Sequence, residues 1–428
     1  MKRVFNISVV LLFAVAIPLG AQVVPEGTSP RKLSISGNLT YSARYSQMAD
    51  FYSNGPSGQL ANLSGDFGYS TTSERHPTTI TLGAGDSWTI SGPNYNNGPY
   101  ENLALSQGVA GEHSSLQLSD TVGYRKGASV TGFSGAPGTG EPIGQPSPTP
   151  PTDEPILTLN TTMVNNDASG EYRYKVNAFS SLSAGGSWNL LRFPNGNGID
   201  TDDIAANLGW TQRLNARNSL LGEYAYSHYS YSDFGITFDV NTPAIGWQRT
   251  WTRTVSSSVS AGPQWITSSG SISMSIPGGP SANIEIPSST GFSGAASISD
   301  NTRFGRASVA YDHGVMGGGG YLYGGRMDDV TGSFSRQFGR QVGSQTTLEF
   351  AGGYRRSDAL NSIEGSYDAK YGSAQFTRSL GRYVSVYASY TGTVQSPSSQ
   401  VSGNVLNGLW QVIGFGIGFT PPQIRLRH

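Results

Sequence analysis

The residues that could carry out acid–base chemistry are few and widely spaced along the chain. The five histidines are His76, His113, His228, His313 and His428. His228 and His313 lie near the ends of strand-like stretches, where an Asp–His pair could act as a general base. Asp312 is adjacent to His313, but neighbouring residues of a strand face opposite ways and cannot pair directly. The histidines therefore predict no catalytic site.

Other motifs that could supply a nucleophile, or bind a phosphate or a metal, are incomplete. The TGFSGA segments at 131 and 290 lack the strand-to-helix context of a nucleophile elbow. Gly317 to Gly320 read as a flexible loop tip, because a phosphate cradle also needs a lysine and a helix start. The acidic group at 200–203 lacks a full calcium-ligand spacing, and solvated loop acids explain it better. No metal site and no cofactor are expected.

Composition and the N-terminus indicate an exported protein. The 428 residues contain no cysteine, which excludes a disulfide framework and a cysteine-based metal site. Residues 1–21 have the charged start, apolar core and small-residue end of a cleaved signal peptide, and 22–32 would follow as a periplasmic segment. Without Lys2 and Arg3, 25 basic residues face 28 acidic ones, a net charge of −3. This balance does not suggest nucleic-acid binding.

A repeated unit dominates the remaining chain. The segment from Phe376, FTRSLGRYVSVYASY, joins an aromatic residue, an Arg-rich Leu-Gly turn and a strand of alternating apolar residues. Similar units begin at 172, 210, 247 and 334, with a shorter one near 303, so the spacing is roughly 40 residues. The internal period of two excludes helical repeats. Aromatic residues beside charged turns, followed by apolar alternation, are typical of the inner rim of a membrane barrel.

The pattern predicts an all-β fold: a single-chain antiparallel transmembrane up-and-down β-barrel over 33–419. We count about 18 strands (16–18), each long enough for a tilted bilayer crossing. Short turns alternate with longer loops at 192–201, 268–286, 314–324 and 395–404. Residues 126–155 form a long Pro/Gly-rich loop, either an outer loop or one that folds inward and narrows a pore. Residues 420–428 are expected to be a periplasmic tail.

The last strand carries Leu409, Ile413, Phe415, Ile417 and Phe419 on one face. In this it resembles outer-membrane β-barrel proteins of Gram-negative bacteria, whose final strand is amphipathic and ends in an aromatic residue. It departs from them because TPPQIRLRH follows Phe419. A closer likeness, through YRYKVNAFSSLSAGGSWNLLRF from Tyr172 and the repeated turns, is to uncharacterised porin-like barrels. The resemblance implies an outer-membrane location and assembly by the barrel-assembly machinery, with lipid as the surroundings.

The expected functional surface is the barrel interior. Its candidate lumen-facing residues are Asn38, Thr40, Arg44, Asn62, Asp66, Arg173, Lys175, Asn207, Glu223 and Glu349. Their mixed charge does not suggest a strongly charged selectivity ring. The predicted function is a porin-like channel for small polar solutes, or an export conduit, without enzymatic activity. Two alternatives stay open: a non-conducting surface or scaffold barrel associated with polysaccharide export, and a secreted soluble all-β adhesin.

Overall fold

The computed structural model describes residues 37–53, 57–71, 73, 75–92, 98–130, 157–196, 198–231, 235–270, 272–275, 281–284, 287–318, 321–339, 344–361, 365–398, 407–422 and 424–426. The predicted signal peptide, the segment 22–32, the first residues of the predicted first strand (33–36) and most of the loop 126–155 lie outside these residues. The described part contains no helix that is long and apolar enough to cross a bilayer.

Eighteen long antiparallel strands form one closed barrel, which confirms the predicted fold class, and three short strands bring the number in the described chain to 21. The first strand pairs with both the second and the last long strand, and this closes the sheet. The strands are β1 (Gly37–Tyr52), β2 (Gly58–Thr71), β3 (Thr78–Ser91), β4 (Gly98–Ala110), β5 (Ser114–Val130), β6 (Leu157–Lys175), β7 (Ser180–Arg192), β8 (Thr201–Arg213), β9 (Asn218–Tyr231), β10 (Ile236–Thr250), β11 (Val255–Ser269), β12 (Ile272–Ser275), β13 (Ser281–Ile284), β14 (Ser289–Thr302), β15 (Gly305–Met316), β16 (Gly325–Phe338), β17 (Thr346–Ala359), β18 (Ser366–Ser379), β19 (Val384–Pro397), β20 (Gly408–Phe419) and β21 (Ile424–Leu426).

Three short strands lie outside the regular barrel pattern. β12 and β13 pair only with each other, as a hairpin within the connection from β11 to β14. β21, in the predicted C-terminal tail, pairs with the first residues of β1. The tail therefore extends the sheet beside β1 at the rim where the barrel strands begin.

Some strands are longer than the sequence predicts. Residues 48–58 are rich in Asn, Gly, Pro and Ser and predict a loop, but β1 continues to Tyr52 because its last residues pair with β20 as far as Trp410. β5 continues to Val130, so residues 126–130 belong to a strand paired with β6. Cross-strand hydrogen bonding holds these segments extended although their composition is loop-like.

The two rims of the barrel differ. At the turn end, where β1 begins and β20 ends, the connections are short, as between β8 and β9 or between β10 and β11. Each repeated unit of the sequence spans one of these turns. In two of the units a guanidinium lies over an aromatic ring: that of Arg249 is 4.0 Å from the Trp251 ring, and that of Arg336 is 5.1 Å from the Phe338 ring. The opposite rim, the loop end, carries the longer connections.

Contacts across the barrel identify its inward face. Leu191 of β7 and Tyr367 of β18 belong to one buried cluster together with Tyr321 of the β15–β16 loop. β7 and β18 are not neighbours in the sheet, so these side chains can meet only inside the barrel. The opposite face carries the exposed large apolar side chains, such as Leu208 and Ile245, which are 61% and 64% exposed. The barrel is thus apolar outside, where a water-soluble barrel would be polar.

Candidate functional site

Directly paired residues on neighbouring strands share a face of the sheet. An inward residue on one strand therefore identifies an inward residue on the next. Starting from the buried Tyr229 of β9, one row of paired residues runs to β1. It contains Tyr229, Asp203, Asn189, Asp167, Thr121, Ala104, Thr81, Gly68 and Thr40. The buried Tyr367 identifies the inward face of β18 and, through its partner Ser357, that of β17. Because every second residue of a strand shares a face, all ten candidate lumen residues lie on the inward face. Their part in solute passage stays a prediction.

The structure brings only some of these ten residues together. Arg44 and Asp66 form an ion pair at 3.7 Å, and the Ser42 hydroxyl donates to Asp66 at 2.8 Å. Arg173 pairs at 2.7 Å with Glu171, which the sequence analysis did not single out. The remaining candidates are distributed over β1, β2, β6, β8, β9 and β17. They line a wall and do not converge on one site.

The described residues of the connection between β15 and β16 are buried. Tyr321, Leu322 and Tyr323 are 4%, 0% and 5% exposed, which is unusual for loop residues. The prediction that Gly317 to Gly320 are a flexible loop tip is wrong for Gly317 and Gly318, which are buried. The apolar Tyr-Leu-Tyr triplet explains this, because it can bury its rings only by folding inward.

Two apolar clusters hold this loop from opposite sides. On one side the Tyr323 ring packs edge-on against Tyr231 at 5.3 Å, and the Tyr231 hydroxyl donates to the Gly317 carbonyl at 2.8 Å. On the other side the Tyr321 ring packs edge-on against Phe193 at 5.5 Å. The described residues 317, 318 and 321–324 therefore lie in the interior near the loop end, and we call them the inner loop.

One of the two strands that carry the inner loop, β15, separates from its neighbour β14 before the loop begins. β14 and β15 stop pairing at Gly294 and His313, whereas β15 and β16 stay paired to Met316 and Gly325. Val315 consequently packs in the same buried cluster as the inward residues of β9, β10 and β11. β16 meanwhile stays paired with β17 as far as Gly325 and Ala359, so only the β14 side of this hairpin is released.

Charged side chains lie on the wall close to the inner loop. Asp329 and Arg355 are directly opposite each other on β16 and β17, joined at 3.1 Å and 6% and 3% exposed. Asp312 faces Asp329 from β15. Across the barrel, Asp203 accepts a hydrogen bond from Asn189 at 3.0 Å. Asp203, Asp329 and Arg355 are buried on the inward face, and the sequence analysis assigned none of these charged groups to the lumen.

The acidic group at 200–203 is not the set of solvated loop acids that the sequence predicts. β8 begins at Thr201, so Asp202 and Asp203 face opposite sides of the wall. Asp202 pairs with Arg192 at 2.5 Å, and Asp200 accepts from the Phe193 backbone N–H at 2.8 Å. Among the described residues, no three His, Cys, Asp or Glu side chains are grouped to hold a metal.

The two histidines of the sequence analysis lie on the outward face, each beside an aspartate of the next strand. His228 Nδ1 is 2.8 Å from Asp239 Oδ1, and His313 Nδ1 is 2.8 Å from Asp328 Oδ1. Asp312 takes no part, as the alternation predicts. Neither imidazole hydrogen-bonds a serine, threonine or cysteine within the described chain, so the arrangement lacks the nucleophile of a hydrolytic triad.

Comparisons with known proteins give distant structural similarity only. No protein-family model and no curated protein matches the sequence. Among solved structures, Pseudomonas aeruginosa OccK2 (OpdF) is 11% identical with a TM-score of 0.44, covering 92% of this chain and 98% of its own. Acinetobacter baumannii OccAB4 is 8% identical with a TM-score of 0.43, covering 92% and 99%. The outer membrane protein OpdK of P. aeruginosa is 8% identical with a TM-score of 0.42, covering 90% and 98%. At this level, nothing about the activity of those proteins transfers to this chain.

Proposed function

We propose that this chain is an outer-membrane channel for small polar solutes. The observation that carries the proposal is the closed 18-strand barrel with an apolar outward face and a polar inward wall. A barrel of this strand number is wide enough for an aqueous channel unless segments inside it fill the lumen. The exposed apolar side chains argue against a soluble adhesin, because water would have to solvate a continuous apolar belt.

The two rims set the orientation. The turn end carries the cation-covered aromatic rings and both ends of the described chain, which fits the periplasmic rim of an outer-membrane barrel. The loop end then faces the outside. The signal peptide predicted from residues 1–21 supports export to the periplasm before insertion.

The inner loop gives the channel its proposed constriction. Its apolar side chains occupy part of the cross-section near the outer mouth, while Asp203, Asp329 and Arg355 are buried in the inward wall. A solute therefore passes beside the inner loop, through the part of the lumen that the loop leaves open. Such a passage favours small polar molecules.

Liposome swelling tests the proposal directly. Vesicles containing the refolded chain should swell faster in an isotonic pentose than in a trisaccharide, because the constriction excludes larger solutes. Empty vesicles provide the baseline, and a heat-modifiable gel band shows that the barrel is folded. A folded chain whose vesicles swell no faster than empty ones would contradict a channel and favour the non-conducting scaffold.

A further inference from the structure

The outward face near the loop end carries a row of charges across four adjacent strands. Cross-strand pairing aligns His313 of β15, Asp328 of β16, Arg356 of β17 and Asp368 of β18. With neighbouring strands about 4.8 Å apart, the row spans roughly 14 Å. We call these four residues, with Asp358 and Lys370, the ionic patch. A charge facing lipid is costly in the hydrocarbon, so such a row belongs at headgroup depth.

Hydrogen bonds order the ionic patch. The hydroxyl of Tyr311 donates to Asp328 at 2.8 Å, and that of Tyr354 donates to Asp368 at 2.7 Å. Both tyrosines lie one pleat nearer the turn end than the charged row. The carboxylates are therefore held by rings that extend into the apolar belt, as expected for tyrosines at a membrane interface.

The two strongest cations of the patch are neighbours. Tyr354 is paired with Lys370 and Arg356 with Asp368, so Arg356 and Lys370 are diagonal partners about 7–8 Å apart at their Cα atoms. Arg356 uses Nε and Nη2 on Asp358, which leaves Nη1 unused. The Lys370 ammonium lies 5.8 Å from the centre of the Tyr354 ring. One phosphate can accept hydrogen bonds from both side chains.

We propose that the ionic patch binds the phosphate of an outer-leaflet glycolipid. The site faces outward at the loop end, so under the proposed function, on which this inference rests, its neighbour is a lipid headgroup. Arg356 and Lys370 supply the contacts to the phosphate, and Asp358 holds the Arg356 guanidinium in place at 3.1 Å. A lipid held there would stabilise the wall beside the inner loop.

A second outward cluster provides an internal comparison. On β9 and β10, the Tyr226 hydroxyl donates to Asp239 at 2.6 Å, as that of Tyr354 donates to Asp368. His228 lies opposite Asp239, 2.8 Å from it, as Arg356 lies opposite Asp368. The position of Arg356 is occupied there by His228, and the position of Lys370 by Asn241. The tyrosine–aspartate bond is thus a repeated feature of the wall, whereas the pair of permanent cations distinguishes the ionic patch.

Native mass spectrometry in detergent tests the proposal. The refolded chain should retain bisphosphorylated lipid A at least tenfold more tightly than dephosphorylated lipid A. The double variant Arg356→Gln/Lys370→Gln should lose this preference. The variant Arg249→Gln removes an outward cation at the turn end and should keep it.

Each outcome decides the proposal. Equal retention of the two lipids by the unaltered chain, or an equal preference in the double variant, would overturn it. The comparison within the unaltered chain remains decisive if the double variant does not fold. Swelling of vesicles made without lipid A measures the channel separately. Solute entry without phosphate-dependent lipid binding would contradict only the proposed lipid site. Lipid binding without solute entry would contradict only the proposed channel.

Discussion

Adjacent residues in this wall face different surroundings, and several pairs show it. Arg355 lies in a buried ion pair inside the barrel, whereas Arg356 is half-exposed outside. Asp312 faces inward and His313 outward. A single-residue step therefore separates a group on the inward face from a group on the face toward lipid.

This alternation gives a prediction at the scale of one residue. Leu208 is 61% exposed near the middle of β8, and its neighbour Asn207 faces inward. Leu208→Arg should lower the free energy of unfolding by about 2–4 kcal/mol, because a guanidinium would enter the middle of the apolar belt. Asn207→Arg is the matched control and should change it by less than about 1 kcal/mol. Urea unfolding of the barrel in lipid vesicles measures both, and equal losses would show that the faces are assigned wrongly.

The residue scale also shows where sequence reasoning stops. The period of two, read locally, predicts which residues of a strand share a face. It does not say which residue lies opposite on the next strand. The partners Asp239 of His228 and Asp328 of His313 depend on register, which hydrogen bonding between strands fixes, and a single sequence gives no register.

At the scale of elements, β10 and β11 show how the wall tolerates prolines. Pro243 and Pro263 lie on neighbouring strands, and the pairing is interrupted between Asn241–Trp265 and Ile245–Ala261. Proline has no backbone N–H, so it cannot donate to the ladder. The Gln264 side chain donates to the Thr242 hydroxyl across this gap at 3.3 Å.

Gly262 makes the close approach at this gap possible. A Cβ at this position would lie 1.8 Å from the Pro243 carbonyl oxygen, a backbone atom that cannot move aside cheaply. Gly262→Ala should therefore reduce the yield of heat-modifiable, folded barrel severely. Gly372→Ala is the control, because a Cβ there meets no atom within 4 Å. Normal folding of both variants would show that β10 and β11 separate more easily than the structure indicates.

The elements were more predictable than their long-range contacts. The sequence of 156–176 predicts one long strand, and β6 is that strand. The repeated aromatic–Arg units lie at one rim because each is a local turn with its flanking residues. The inner loop was not predicted as a constriction. Its burial depends on Phe193 and Tyr231, far away in sequence, and only the apolar triplet 321–323 within a glycine-rich connection hinted at it.

At the scale of the whole molecule, closure leaves every barrel strand with two partners. An open edge would expose unpaired backbone groups, which lipid cannot satisfy, so closure is the condition for a strand-built wall in a membrane. The inner loop lies inside the closed barrel. It joins β7 and β18 through its buried rings, so strands on distant parts of the wall depend on the same loop.

Single-channel recording in a planar bilayer tests the central claim most directly. The unaltered chain should give small, stable conductance steps that scale with salt concentration. A triple variant, Tyr321→Ala, Leu322→Ala and Tyr323→Ala, should give larger steps, because it removes the apolar rings from the lumen. Phe338→Ala, an exposed aromatic change at the turn end, should leave the steps unchanged. Folded, inserted chains that give no steps with or without the triple change would contradict a channel constricted by the inner loop.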